Sequence, residues 1–171
     1  MKFTKRISTL AAGVAALGVA GLGSTSAMAA QDQVNANATI VDAIGITGDR
    51  SLEFGTIING AANTVTIANT AAGTRSATDP TQLLLGGGEQ SAQFTVSGDP
   101  GRSYNLTVPP SITVTETGGT TMTVNNIQHS ATGTLDGVTG NEVFYVGGDL
   151  IVTNGQLAGT YSGTLLIQVD Y

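Results

Sequence analysis

Gly159-Thr160-Tyr161-Ser162-Gly163-Thr164-Leu165-Leu166-Ile167-Gln168-Val169-Asp170-Tyr171 closes the chain, and its reading decides the fold. From Leu165 the apolar residues fall on every second position, at Leu165, Ile167, Val169 and Tyr171. Leu166, Gln168 and Asp170 stand between them. A period of two belongs to a pleated strand with one face turned inward. Gly159 and Gly163 bend the chain on the way in. An apolar terminus of this kind is expected to pair within a sheet. Tyr171 is expected to be buried there, and its truncation to cost roughly 3–5 kcal/mol.

The opposite end reads differently. Lys2, Lys5 and Arg6 precede an apolar run from Leu10 to Leu22, and Ala27-Met28-Ala29 follows with small residues spaced for cleavage. This order predicts a helical secretory signal peptide over residues 1–29, with cleavage before Ala30. The run is too short for a comfortable membrane helix, and no second apolar segment approaches spanning length. Three of the six basic residues lie in that leader, whereas all twelve acids lie beyond it. The remainder therefore carries three arginines against twelve acids, a net charge of −9 without a lysine. Such a surface repels phosphate backbones and anionic headgroups, which disfavours nucleic-acid and membrane-surface partners. The acids are scattered and read as a solvated surface. Cysteine is absent, so packing and hydrogen bonds must hold an exported fold without disulfides. Roughly 140 residues suffice for one core, so residues 30–171 are expected to form a single domain.

Gly and Thr are abundant after residue 30, and helical periodicity is hard to find. Short β-rich runs alternate with turn residues, the pattern of an antiparallel sandwich of about nine to eleven strands. Val34, Ala36, Ala38 and Ile40 alternate with polar residues and open an expected first strand over Val34–Ile46. Thr64–Ala68 is the next strand, and Ala71–Pro80 reads as a loop. Gln82–Leu85 ends at Gly86-Gly87-Gly88, a flexible turn. Ala92–Val96 and Tyr104–Val108 flank Ser97–Gly101 and are expected to form a hairpin. Ser111–Thr117 and Thr121–Gln128 lie on either side of Gly118-Gly119. Thr132–Leu135 and Asn141–Val146 are expected to pair across Asp136-Gly137, with Gly147-Gly148 ending the second of them before Leu150–Val152. Asn154-Gly155 then signals a hairpin into the closing strand.

The chemistry-bearing residues are sparse. His129 is the only histidine and stands in a polar stretch without a nucleophile elbow. Cysteine nucleophiles and zinc-ligand spacings are missing. The triple glycine lacks the Lys-Ser/Thr and helix of a phosphate loop. Asp49, Asp136 and Asp149 adjoin glycines at turns, where ordinary turn chemistry explains them better than calcium. No pair of acids stands out for glycoside hydrolysis. Tryptophan is absent, and Tyr104, Tyr145, Tyr161 and Tyr171 support an aromatic glycan platform only weakly. No catalytic residue, metal ligand or cofactor is assigned.

Several landmarks recur in a set order: Leu52-Glu53-Phe54-Gly55, Ala92–Val96, Val146-Gly147-Gly148-Asp149-Leu150, then Gly159-x-Tyr161-x-Gly163 and Val169-x-Tyr171. In this arrangement the chain resembles the DUF4402 family of exported bacterial proteins over about residues 34–171. Phe54, Gly55, Gly147, Gly148, Gly159, Tyr161, Gly163 and Tyr171 carry the resemblance as structural positions. The family is similar to spore coat protein U and to chaperone–usher pilin subunits. The resemblance implies an immunoglobulin-like or pilin-like β-sandwich exported to the periplasm, cell surface or medium of a Gram-negative bacterium. It implies as partners further copies or homologous subunits and a periplasmic chaperone.

The function expected from these observations is non-enzymatic: a structural or cell-surface protein, a pilin-like or coat subunit joined through β-strand contacts. Val34, Ala36, Ala38 and Ile40 have the alternation to be donated to a neighbour's sheet. They equally suit a first strand of their own domain, which is the expectation here. The alternative is a secreted binding module, an adhesin or a glycan- or calcium-binding domain, carried by loops around Asp79, Asp99 and Asp136. A carboxylate-dependent hydrolase stands last.

Overall fold

Ten strands occur among residues 30–171, the residues that the computed structural model describes. The leader read in residues 1–29 lies outside them. The strands are β1 (Gly45–Arg50), β2 (Asn63–Ile67), β3 (Arg75–Ala77), β4 (Ala92–Ser97) and β5 (Asn105–Thr107). They continue with β6 (Ile112–Glu116), β7 (Thr121–His129), β8 (Asn141–Val152), β9 (Tyr161–Ser162) and β10 (Gln168–Asp170). All lie within one compact unit, Thr39–Tyr171. Apart from one short turn of 3₁₀ helix at Pro80–Gln82, the described residues contain no helix. The fold is all-β and antiparallel, with a curled, sandwich-like main sheet, as the two-residue periodicity predicts.

The main sheet has eight strands in the order β1-β4-β8-β7-β6-β9, with β2 on β8 and β3 on β2. A second sheet holds β10 against β5. β8 is the spine. Along one side it pairs with β7, from Thr123↔Ile151 to His129↔Val146. On the other side it takes β4 along its first half, Asn141–Val146, and β2 along its second half, Gly148–Val152. The change of partner falls at Gly147-Gly148. These glycines do not end the strand, as the sequence suggested, but let it pass. A β-carbon on Gly147 would collide with the Ile67 carbonyl, and one on Gly148 would press on Val124 at 3.1 Å. β7 bulges opposite, between Asn125 and Gln128, where Asn126 adopts φ 48°.

The core lies against this spine. Phe144, Val146, Val65, Val96 and Val124 are fully buried. Phe94 and Phe144 face each other in register, with ring centroids 5.5 Å apart. A row of apolar side chains crosses four strands in register, Ile112–Val124–Leu150–Val65. Such same-face rows are the units that stabilise a sheet.

Several expected pairings differ. The first strand is Gly45–Arg50 and not Val34–Ile46; Ala30–Ala43 are exposed and carry no strand. Ala71–Pro80 is not all loop, because Arg75–Ala77 pair with β2. β4 and β5 form no hairpin: β4 pairs with β1 and β8, β5 with β10. Thr132–Leu135 form no strand, and Asp136 begins a tight turn instead. Asn154-Gly155 turns the chain, yet the strands beyond it, β9 and β10, pair with β6 and β5 and not with β8. In each case the local pattern was compatible with more than one partner, and the long-range packing selected between them.

The closing segment is stitched in, with Ile167 buried and Leu165 and Val169 packed on the core. Tyr171, however, is 41% exposed. Its hydroxyl accepts the Asp99 N–H at 2.7 Å, and Arg102 lies 5.4 Å over its ring. Tyr171→Ala is therefore expected to cost about 1–3 kcal/mol, less than a buried aromatic would, in urea unfolding. Gly147→Ala meets backbone that cannot yield and should lower stability by at least about 1–3 kcal/mol. Gly137→Ala, with open space at its β-carbon, is the matched control and should leave the urea midpoint in place.

Candidate functional site

The main sheet does not close. Its terminal strands in the pairing order are β1 and β9, and residues from both line the same groove, of about 1140 Å³. The floor is the inner face of the sheet. Ile112 and Val114 come from β6, Met122 and Val124 from β7, Leu150 and Val152 from β8. Their exposure changes across the sheet: Val124, Leu150 and Val152 are buried, whereas Ile112, Val114 and Met122 are half-buried. The groove is thus open above β6 and the start of β7, where apolar side chains of the core row meet solvent.

One rim runs from Gly48 to Ile57. It is held from behind by Arg75, whose side chain is 3% exposed and donates to the carbonyls of Phe54, Thr56 and Leu84. Its charge is met by Glu89 at 3.4 Å. Gly55 has φ +72°, and a β-carbon there would strike the Arg75 guanidinium at 2.6 Å. The close approach of backbone to a buried cation explains why glycine follows Phe54. Gly87 approaches Thr56 in the same way, so the triple glycine is a packing device at the groove rim as well as a turn.

The other rim runs from Gln156 to Leu165. Gln156 is buried and donates to the Thr121 carbonyl and the Tyr161 hydroxyl, while Thr153 donates to its side-chain oxygen. The Tyr161 hydroxyl in turn donates to the Leu157 carbonyl. Gly159 and Gly163 let this rim lie flat on β6: β-carbons would press on Glu116 and on the Thr113 carbonyl. Pairing is nevertheless short. β9 matches β6 only at Thr115↔Ser162 and Glu116↔Tyr161.

The structure brings Phe54, Gly55, Gly159, Tyr161 and Gly163 to the groove. Gly147 and Gly148 instead shape the spine, and Tyr171 docks on the Asp99–Arg102 turn. Val34 and Ile40 are 92% and 95% exposed, outside any strand, and Ala36 and Ala38 are likewise exposed. The groove floor and Gln156 had no distinct sequence signal, because a groove-facing valine and a core valine look alike in one dimension.

The polar residues considered for other chemistry are engaged locally. Asp79 caps the 3₁₀ turn, accepting from the Thr81 hydroxyl and N–H and from Gln82. Asp136 accepts from the Thr139 and Val138 N–H groups and the Thr139 hydroxyl. These bonds hold both carboxyls below the ordinary 3.8, led by the Thr81 hydroxyl at Asp79 and the Thr139 N–H at Asp136. Asp99 pairs with Arg102 at 3.1 Å. Asp49 and Glu53 are the acids on the groove lining. The Asp49 carboxylate accepts from Thr95, which alternates away from the groove-facing Ala92 and Phe94. Asp149, on β8, accepts from Thr66 and Asn126. His129 lies edge-on to Phe144, with centroids 6.4 Å apart. Among the described residues no group of three or more His, Cys, Asp or Glu is placed to hold a metal ion. Burial, followed by the hydrogen bond to Glu142, drives the Tyr104 hydroxyl's pKa upward.

The fold and groove define a class of protein: an all-β domain with an open, curled sheet. A family model described as a domain of unknown function, DUF4402, matches residues 44–171. The chain belongs to this family. No curated protein and no solved structure matches it.

The lowered carboxyls bear on acid stability. A depressed folded pKa contributes stability that is complete above the unfolded value and is lost as pH falls through the folded one. Asp79 and Asp136 should therefore leave urea midpoints unaffected between pH 5 and 7 and depress them below about pH 4. The Asp79→Asn/Asp136→Asn double variant should show a shallower acid limb between pH 5 and 3 in the same titration.

Proposed function

We propose that the protein is a non-enzymatic structural subunit that assembles with its neighbours by β-strand addition, and that it works outside the cytoplasm. One observation carries the reading: the two end strands of the β1-β4-β8-β7-β6-β9 path, β1 and β9, border a single groove floored by apolar side chains. An extended segment laid in the groove offers backbone N–H and C=O groups to the strand edges and every second side chain to the floor. That is the physical basis of strand addition, in which the backbone supplies affinity and alternate side chains supply specificity. It also answers the hazard of an open edge, which invites unwanted pairing unless something covers it. The leader pattern supports export, and the acidic composition supports a solvated surface.

Hydrogen exchange on assembled and dissociated protein tests this. Assembly should slow exchange at Gly45–Arg50 and at Tyr161–Ser162, while the β4–β8 ladder, already paired on both sides, stays unchanged. Equal protection of the two edges in both states would remove the groove from the assembly.

A further inference from the structure

The strand that fills the groove, we infer, is residues Val34–Ile40 of a second copy of this chain. The inference rests on the strand-addition reading above and names its occupant. The segment is Val34-Asn35-Ala36-Asn37-Ala38-Thr39-Ile40, with apolar and polar residues in strict alternation. A strand added over the groove needs one apolar face for the floor and one polar face for solvent, and this segment has both. It lies in a stretch, Gln33–Val41, that contains neither a charged residue nor a proline. Those are the usual means by which an unpaired strand is kept from pairing. Yet residues Ala30–Ala43 are exposed and carry no strand in the structure. Its length also suits the task. Seven extended residues span about 23 Å, comparable with the roughly 30 Å of the nine-residue β7 that runs along the floor.

The short connection to β1 argues for a donor from another molecule. Four residues, Val41-Asp42-Ala43-Ile44, separate Ile40 from β1, which borders the groove. To fill its own groove beside β1 the chain would have to reverse within them. They contain no glycine, asparagine or proline, and Ile44 is packed against the core. Asp42 is the one turn residue among them, and no glycine or asparagine beside it supplies the positive φ of a two-residue hairpin. Donation to a second copy needs no reversal, and it leaves the recipient's own segment free for a third.

Complementary variants test the inference in the full chain, with association read by analytical ultracentrifugation and folding by thermal melting. Val34→Asp/Ile40→Asp spoils the donor and keeps the groove. Val114→Glu spoils the groove and keeps the donor. Wild type should form chains of subunits, each variant alone should be monomeric, and the two mixed should give a one-to-one heterodimer. Persistent association of the donor variant would overturn the occupant while leaving the groove reading intact. Persistent association of a folded groove variant would overturn the groove reading itself. A wild-type monomer would refute the second-copy donor. The chain has no cysteine, so an introduced pair supplies a second readout should Val114→Glu fail to fold. Val114→Cys chains mixed in turn with Val34→Cys, Ala36→Cys, Ala38→Cys and Ile40→Cys chains should give a disulfide-linked dimer in at least one pairing on a non-reducing gel, and its absence from all four under oxidising conditions would refute the contact. A monomeric internal disulfide in the corresponding double-cysteine chain would show self-filling and refute the second copy.

Discussion

The passage of β8 through Gly147 and Gly148 is the constraint on which the rest of the structure depends. At this point the strand exchanges β4 for β2 on one side while β7 continues along the other. The exchange requires Ile67 and Ala68 to approach the strand so closely that Gly147 has no room for a side chain. A β-carbon would push β2 away and expose Val65 and Ile67, both buried. The bulge in β7 belongs to the same event, since a strand that changes partners must twist, and the extra residue absorbs the mismatch. Phe144, Val146, Leu150 and Val152 all project from this one strand into the core.

From that spine the sheet curls without meeting itself. β1 and β9 end on opposite sides of one groove, and the core row running out along β7 and β6 ends half-covered there. The rims are not loosely held. Arg75 ties one, through the Phe54 and Thr56 carbonyls, to the Leu84 carbonyl behind it, and Gln156 and Tyr161 secure the other through a chain of hydrogen bonds. Burying an arginine costs free energy unless its donors are satisfied, and here the carbonyls and Glu89 satisfy them. In the strand-addition reading proposed above, rims held in this way would spare an incoming strand the cost of ordering its partner.

Much of this was legible in the residues. The alternation at Ala92–Val96, Ile112–Glu116 and Leu165–Val169 is a local property of a pleated backbone, so it survives in one dimension. The family landmarks were legible too, and the matched residues 44–171 agree with them. Their purposes were not. Gly55, Gly159 and Gly163 look like turn residues, whereas their role is to admit Arg75, Glu116 and the Thr113 carbonyl. The groups they make room for lie far along the chain, at separations no window of sequence spans.

By itself, then, the sequence determined the strand class, the inward face of most strands and the absence of cysteine cross-links, because period, composition and turn chemistry are local. The tertiary structure alone decided which strand pairs with which, that Gly147-Gly148 pass through a strand in place of ending it, and that the sheet stays open. Those outcomes depend on steric fit between distant backbones and on which alternative pairing buries the core best, and neither quantity is written in any single segment.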